Sequence, residues 1–432
     1  MNKIFILLLL GTLLSCQTPK KNQSKVITKD IDNFWKAYDL ITQEPDSLIQ
    51  TRLIDSLYIR KGSIGLEKIM EARNYTASEY VELINSYPKF FESIRANTLK
   101  SKTLTRELIN GIDKLEAVYP HLKPAKIYFT IGCMRTGGTT RDSLILIGSE
   151  LAMANSQTDI SEFEGRTKEW LATYFGSDPF DRLVLLNVHE YVHTQQNPIP
   201  NNLRHIVLYE GIAEFVSVTA MEVPSSAPAI EFGKNTPAVR KRFEKEMFYE
   251  RTSDWLWSSS PNEFGVRDLG YYVGYAIAEK HYNKSTNKQQ AIKELIELDY
   301  SKPEEIDDFI DRVDYFSKTI EELQKEDREN RPKVLKVQQF ENGAENVDPE
   351  IKQITVAFSV KLNGYNTGVD YSDLGETAFP KVASREWSSD STSWTLEVEL
   401  EPEKHYKFWI TSNFRTKSGI AILPHLIEFK TR

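Results

Sequence analysis

"DPFDRLVLLNVHEYVHTQQ", residues 178–196, is the stretch on which the reading of this chain turns. Asp178 stands where a helix cap belongs and Pro179 at a first turn, where its missing N–H costs nothing, so a helix is expected to start there. Leu183, Leu186, Glu190 and His193 follow at three- and four-residue steps. On such a helix His189 and His193 lie one turn apart on the same side, and two neutral imidazoles so placed can converge on one metal ion. Glu190 sits beside them rather than between them, the place of a general base acting on water rather than of a ligand. The bland alternative is two solvated or core histidines, and a five-residue pattern with three fixed positions arises by chance on the order of one time in a hundred in such a chain. A third ligand separates the two readings.

A histidine at the metzincin spacing is absent, since that position is Ile199. Downstream, "LYEGIAEFVSVTAMEV", residues 208–223, predicts a second helix stopping before Pro224, joined to the first by the Pro- and Asn-rich "NPIPNNLR". Gly211 inside it costs about 1 kcal/mol relative to alanine and asks for a reason. Close approach of the second helix to the first, bringing Glu210 to the metal, is the reason expected. Glu214, one turn on, shares that face. Glu210 is assigned as third ligand and Glu214 as the carboxylate that orients a ligand histidine; the reverse stays open, because either could point inward at helical spacing.

"HEYVH" followed by "YEGIAEF" resembles the gluzincin metallopeptidases, in particular the aminopeptidase N branch, and also the group of predicted zinc-dependent proteases that includes gliding-motility-related lipoproteins. The resemblance covers about residues 125–290. It implies His189, His193 and Glu210 as ligands of one Zn2+ per chain, with Glu190 as general base. "GYYVGYAIAEKHY", residues 270–282, is similar to the branch's Y-x-x-G helix start, which implies Tyr271 as the donor to the oxyanion. Tyr271, Tyr272 and Tyr275 also suit plain amphipathic packing. His205 and His281 are expected to be structural or solvent-facing. The branch's amine-recognition stretch has its nearest echo in "LAMAN", residues 151–155, with Ala154 where the glutamate would stand, so aminopeptidase specificity is not implied.

The chain opens "MNKIFILLLLGTLLSCQ": Lys3, an apolar run shorter than the roughly 20 residues of a membrane span, then small and polar residues. That is a secretory signal. "LLSC" looks like the lipobox of bacterial lipoproteins, which implies a signal peptide over residues 1–16 and lipidation at Cys16; an ordinary cleaved signal is the alternative. Residues 17–30, "QTPKKNQSKVITKD", have the composition of a flexible tether. With Cys16 lipidated, Cys133 is the one thiol left, so stability must come from packing. A net charge of -8 without a long basic run argues against nucleic acid as partner.

Helical periodicity runs from about Asp30 to Leu115, with Tyr80, Leu83 and Ile84 on one face. In "AKIYFTIGCMRTGGTTRDSLILIGSEL" two β-rich runs, 126–131 and 143–147, flank a turn region at Gly137 and Gly138, and a hairpin or a pair of strands is expected. The strand in "SLILIGSEL" is expected to line the cleft and pair with an extended peptide. Helices continue to about Glu326, and "KEDRENRPK" reads as a charged linker. Beyond it Ile354, Val356, Phe358, Val360 and Leu362 alternate with small or polar residues, as do Trp394, Leu396, Val398 and Leu400, and Tyr406, Phe408 and Ile410. Alternation over short runs argues an antiparallel sandwich. Residues 333–432 resemble bacterial Ig-like domains; Trp387, Trp394 and Trp409 are expected in the core.

The fold expected is therefore α+β and multidomain: a mostly helical gluzincin-like zinc peptidase domain with a small edge sheet over residues 31–328, then an all-β Ig-like sandwich. The function expected is that of a lipid-anchored, exported metallopeptidase of the bacterial cell envelope, hydrolysing peptide bonds by metal-activated water. Its expected partners are a peptide or protein substrate, the membrane through Cys16, and a protein or glycan at the C-terminal domain. The rival is a surface or periplasmic scaffold lipoprotein with a structural or vestigial metal site; hydrolysis of a non-peptide substrate ranks third.

Overall fold

The computed structural model describes residues 25–198, 201–249, 251–257 and 262–432. The segment expected to be a signal peptide and the expected lipidation site Cys16 lie outside them. The chain is α+β, and its described residues divide into two compact units, one from residue 25 to 112 with 123–194, the other of 113–122 with the described part of 195–432.

In the first unit, helices from Lys29–Ile41 to Pro88–Leu99 surround an aromatic core in which Phe34 touches the rings of Trp35, Tyr58 and Phe91. Local chemistry sets their starts: the side chains of Asp46, Ser63 and Thr76 each accept backbone N–H bonds as N-caps. Tyr80 and Ile84 are buried as the periodicity requires. Against these helices lies a four-stranded sheet of β1 (Val26–Ile27), β2 (Lys126–Thr130), β3 (Gly138–Arg141) and β4 (Leu144–Gly148), in the order β1-β2-β4-β3. The hydroxyls of Tyr58 and Tyr80 both donate to Ile131 O, at 2.6 and 2.9 Å, fixing the chain as it leaves β2.

Two expectations change here and one narrows. The segment read as a tether to residue 30 is built into the fold from Val26, which pairs with Ile127, and a helix begins at Lys29. Of the hairpin or pair of strands expected around Gly137 and Gly138, the structure has the pair, β2 and β4, running parallel, and Gly138 itself starts β3, antiparallel to β4. The edge strand is consequently β3, and β4, in "SLILIGSEL", has a neighbour on both sides.

In the second unit the helix Leu203–Met221 is buried almost all round and crosses the helix Gly270–Lys284. Asn202 caps the first of these, accepting from His205 N at 3.0 Å. The stretch expected as a charged linker is helical: Ile320–Asn330 starts with a capping box between Thr319 and Glu322 and ends at the buried Arg331.

Seven strands follow: β5 (Val334–Val337), β6 (Gln353–Phe358), β7 (Val369–Tyr371), β8 (Lys381–Trp387), β9 (Ser393–Glu399), β10 (His405–Ile410) and β11 (His425–Lys430). They form antiparallel sheets β5-β6-β9-β8 and β11-β10-β7. Ile354, Val356, Phe358, Trp394, Leu396, Val398, Tyr406, Phe408 and Ile410 share one core, as period-two alternation demands. Val360 departs from it, 42% exposed because β6 ends at Phe358. Trp387 packs partly buried against this core, whereas Trp409 is exposed, contrary to expectation. Among the described residues no helix is long and apolar enough to cross a membrane.

Candidate metal site

The helix carrying the paired histidines is Leu183–His193, packed on β3 and β4 through a buried face that includes Leu183, Val188 and Val192. It starts later than the sequence suggests. Asp178 does not cap it: its backbone is left-handed (φ 48°), its carboxylate accepts from Ser156 N at 2.8 Å, and residues Pro179–Arg182 form a tight 3-10 turn instead. The "LAMAN" echo begins in a single helical turn, Ser149–Ala152, and Ala154 O accepts from Phe180 N.

His189 and His193 lie on one side of this helix, their rings nearly perpendicular at 83° and their Nε2 atoms 3.1 Å apart. His189 is buried and His193 half-buried. Glu190 points to the sheet, where its Oε2 accepts from Thr140 Oγ1 on β3 at 2.5 Å. Thr140 was invisible to sequence reasoning because its strand was read as part of a turn.

On the helix Leu203–Met221, Glu210 and Glu214 are both buried. Glu210 shares a hydrogen bond with the Tyr271 hydroxyl; burial first, and the Glu210 charge next, push that phenol far above its ordinary range. Trp257 Nε1 donates to Tyr271 Oη at 3.3 Å. Glu214 Oε1 accepts from Ser225 Oγ. The three clustered tyrosines have separate fates. Tyr271 meets Glu210, Tyr275 packs edge-on to Phe215 at 5.4 Å, and Tyr272 covers Gly233. Tyr300 is a further buried phenol near Glu210, and its ring meets Tyr209 edge-on at 5.7 Å.

Gly211 does have a packing reason, but the partner is not the one expected. A Cβ there would stand 2.2 Å from the Gly274 carbonyl carbon, so the close approach is to the helix Gly270–Lys284.

His205 is structural. It is fully buried, with Nδ1 2.9 Å from Asn202 Nδ2 and Nε2 2.9 Å from Asp307 Oδ1. Burial would raise the Asp307 carboxyl, but Arg204 and His205 outweigh it and hold it at about 2. His281 pairs with Glu294 at 3.1 Å, and burial lowers its pKa.

His189, His193 and Glu210 each offer one ligand atom, and these atoms all lie within 4.8 Å of one another, a group that could hold a metal ion. The donor set fits zinc in kind: two imidazole nitrogens and a carboxylate oxygen. It also fits in spacing, because two nitrogens about 2.05 Å from a tetrahedral ion stand about 3.3 Å apart, close to the Nε2 separation here.

No protein-family model matches the chain, and no curated protein matches it. Two solved structures of the surface-layer protein SbsC align with 94% of this chain and 45% of their own length. The crystal structure of the S-layer protein rSbsC is 12% identical with a TM-score of 0.17, and the structure of SbsC domains 1–6 is 11% identical with a TM-score of 0.19. The chain thus spans less than half the length of those proteins.

Proposed function

We propose that this chain is a zinc-dependent hydrolase of peptide bonds of the gluzincin kind, exported and held at the bacterial cell envelope by lipid on Cys16. The observation that carries the reading is the proximity of His189, His193 and Glu210, with Glu190 on the same helix turned to a hydroxyl partner of its own. His189, His193 and Glu210 would hold the zinc, which when bound would supply a Lewis acid for the scissile carbonyl and the attacking water.

The remaining work falls to the protein. Glu190 accepts the proton of the attacking water and passes it to the leaving amine. Thr140 occupies Oε2, which fixes the carboxylate and leaves Oε1 for that proton. Tyr271, held neutral by its burial, donates its O–H toward the oxygen on which negative charge grows. Glu214 supports a ligand histidine from the following turn. The edge strand β3, which carries Thr140, offers backbone groups to an extended peptide.

The test is zinc content by mass spectrometry on chelator-free protein, beside His193→Ala and Glu190→Gln. One zinc per chain, lost in His193→Ala and kept in Glu190→Gln with peptide hydrolysis abolished, is the expected result. Protein that stays empty when zinc is offered, or Glu190→Gln as active as wild type, overturns the reading and leaves the scaffold lipoprotein.

A further inference from the structure

Residues 255–257, "WLW", place two tryptophans in opposite settings. Trp255 is an anchor: 1% exposed, packed edge-on to Phe243 at 4.8 Å, its indole N–H donating to Glu246 at 2.9 Å. Leu256 is fully buried. Trp257 then turns outward with φ 56°, and 52% of it faces solvent. A bulky residue in left-handed backbone is strained, and a half-exposed indole recovers little of that by burial. The conformation therefore asks for a reason outside packing.

The bond of its indole N–H supplies the direction. Nε1 donates to the Tyr271 hydroxyl, which is in turn bonded to Glu210. The indole is thus tethered by its polar edge to the phenol beside the candidate metal ligand, while about half of the residue's surface stays open to solvent. Large, rigid and wet on one side, such a ring is a surface for another apolar group.

Resting on the peptidase reading, we infer that Trp257 determines specificity: its exposed face takes an apolar, ring-bearing side chain of the peptide next to the bond to be cut. The chain therefore prefers substrates with an aromatic residue at one position flanking that bond, and discriminates against alanine or a charged residue there. Tyr271 is fixed by the same tether, so the side-chain contact and the oxyanion donor are set in register by one hydrogen bond.

The experiment separates this from the peptidase reading by measuring binding without turnover. Metal-free full chain is titrated calorimetrically with blocked hexapeptides in which Phe replaces Ala at each position in turn. At one position Phe is expected to bind about tenfold tighter than Ala, a difference of about 1.4 kcal/mol. Trp257→Ala should erase that advantage and Trp257→Phe, which keeps a ring but loses the N–H, should retain most of it. An equal Phe advantage in Trp257→Ala, or no position at which a ring binds better, overturns the proposal. Absence of hydrolysis by the zinc-loaded wild type defeats the peptidase reading instead, while the titration still decides the role of Trp257. Circular dichroism of both variants checks that each is folded.

Discussion

Gly211 and Gly274 meet where two helices cross backbone to backbone: a Cβ on Gly211 would lie 2.2 Å from the Gly274 carbonyl carbon, and one on Gly274 would lie 1.9 Å from Val207 O. Neither clash is with the end of a flexible side chain. Glu210 precedes one glycine and Tyr271 begins the turn before the other, so this crossing sets the separation of the carboxylate and the phenol.

Gly211→Ala is therefore expected to destabilise. Alanine gains about 1 kcal/mol of helix propensity, but overpacking against rigid backbone costs more, and a net loss of about 1–3 kcal/mol is expected in urea unfolding. Gly176→Ala is the control. It closes the helix Gly165–Gly176 with nothing within 4 Å of an added Cβ, so it should be neutral or stabilising by up to about 1 kcal/mol. Equal effects of the two substitutions would show that the crossing tolerates separation.

What the sequence disclosed and withheld follows from the range of the forces involved. The paired histidines were legible because helix geometry alone puts residues four apart on one side, and the C-terminal strands because burial of one face imposes period two. Gly211 was legible as a close approach but not as to its partner, since Gly274 lies far along the chain. Strand β3 was hidden because two threonines between a glycine and an arginine are too short a run to declare a strand, and it owes its conformation to β4. The Asp178 cap failed because the Ser156 N–H, also remote in sequence, captured the carboxylate. Trp257 carried no signal at all: its backbone conformation and its bond to Tyr271 are tertiary facts.

Thr140→Val tests how Glu190 is held. The substitution keeps shape and removes only the hydroxyl that donates to Oε2. Zinc stoichiometry should be unchanged, while kcat/KM for a peptide substrate should fall tenfold to a hundredfold, the range usual for partners one bond removed from a metal site. Thr140→Ser should restore most of the rate. If Thr140→Val proves as fast as wild type, the hydrogen bond is incidental to catalysis.

Glu150 predicts an unusual pH dependence of stability. It is fully buried, its oxygens accepting from Gly132 N at 2.7 Å and Met134 N at 3.1 Å, and burial pushes its carboxyl up to about 7 from 4.5. A group raised on folding contributes stability that is whole below its unfolded pKa and is lost as pH rises through the folded one. The window is thus pH 4.5 to 7, and the loss about 3 kcal/mol. Glu150→Gln cannot ionise. Its single oxygen meets both N–H groups less well, so it should be weaker than wild type at pH 5 by about 1–3 kcal/mol, with the gap closing by pH 8. Urea midpoints at the two pH values decide it; curves that stay parallel would mean Glu150 keeps an ordinary pKa.

Arg331 ties the last helix to the β-sheets. Its side chain is only 5% exposed; it pairs with Asp327 at 3.2 Å, donates to Ala421 O at 3.2 Å and to Ile422 O at 2.6 Å, and its guanidinium lies 4.6 Å over the Tyr249 ring. Burial raises the Asp327 carboxyl even with Arg331 beside it, a sign of how costly that carboxylate is to hold charged. Arg331→Ala strands a buried charge and two carbonyls, which should cost about 3–5 kcal/mol. Arg331→Lys keeps the charge without the planar fork and should lie between. Because much of the penalty comes from the orphaned carboxylate, the pair Asp327→Asn with Arg331→Met should lose less than Arg331→Ala alone. A double variant at least as unstable as that single one would assign the cost to the carbonyls and the Tyr249 contact rather than to the ion pair.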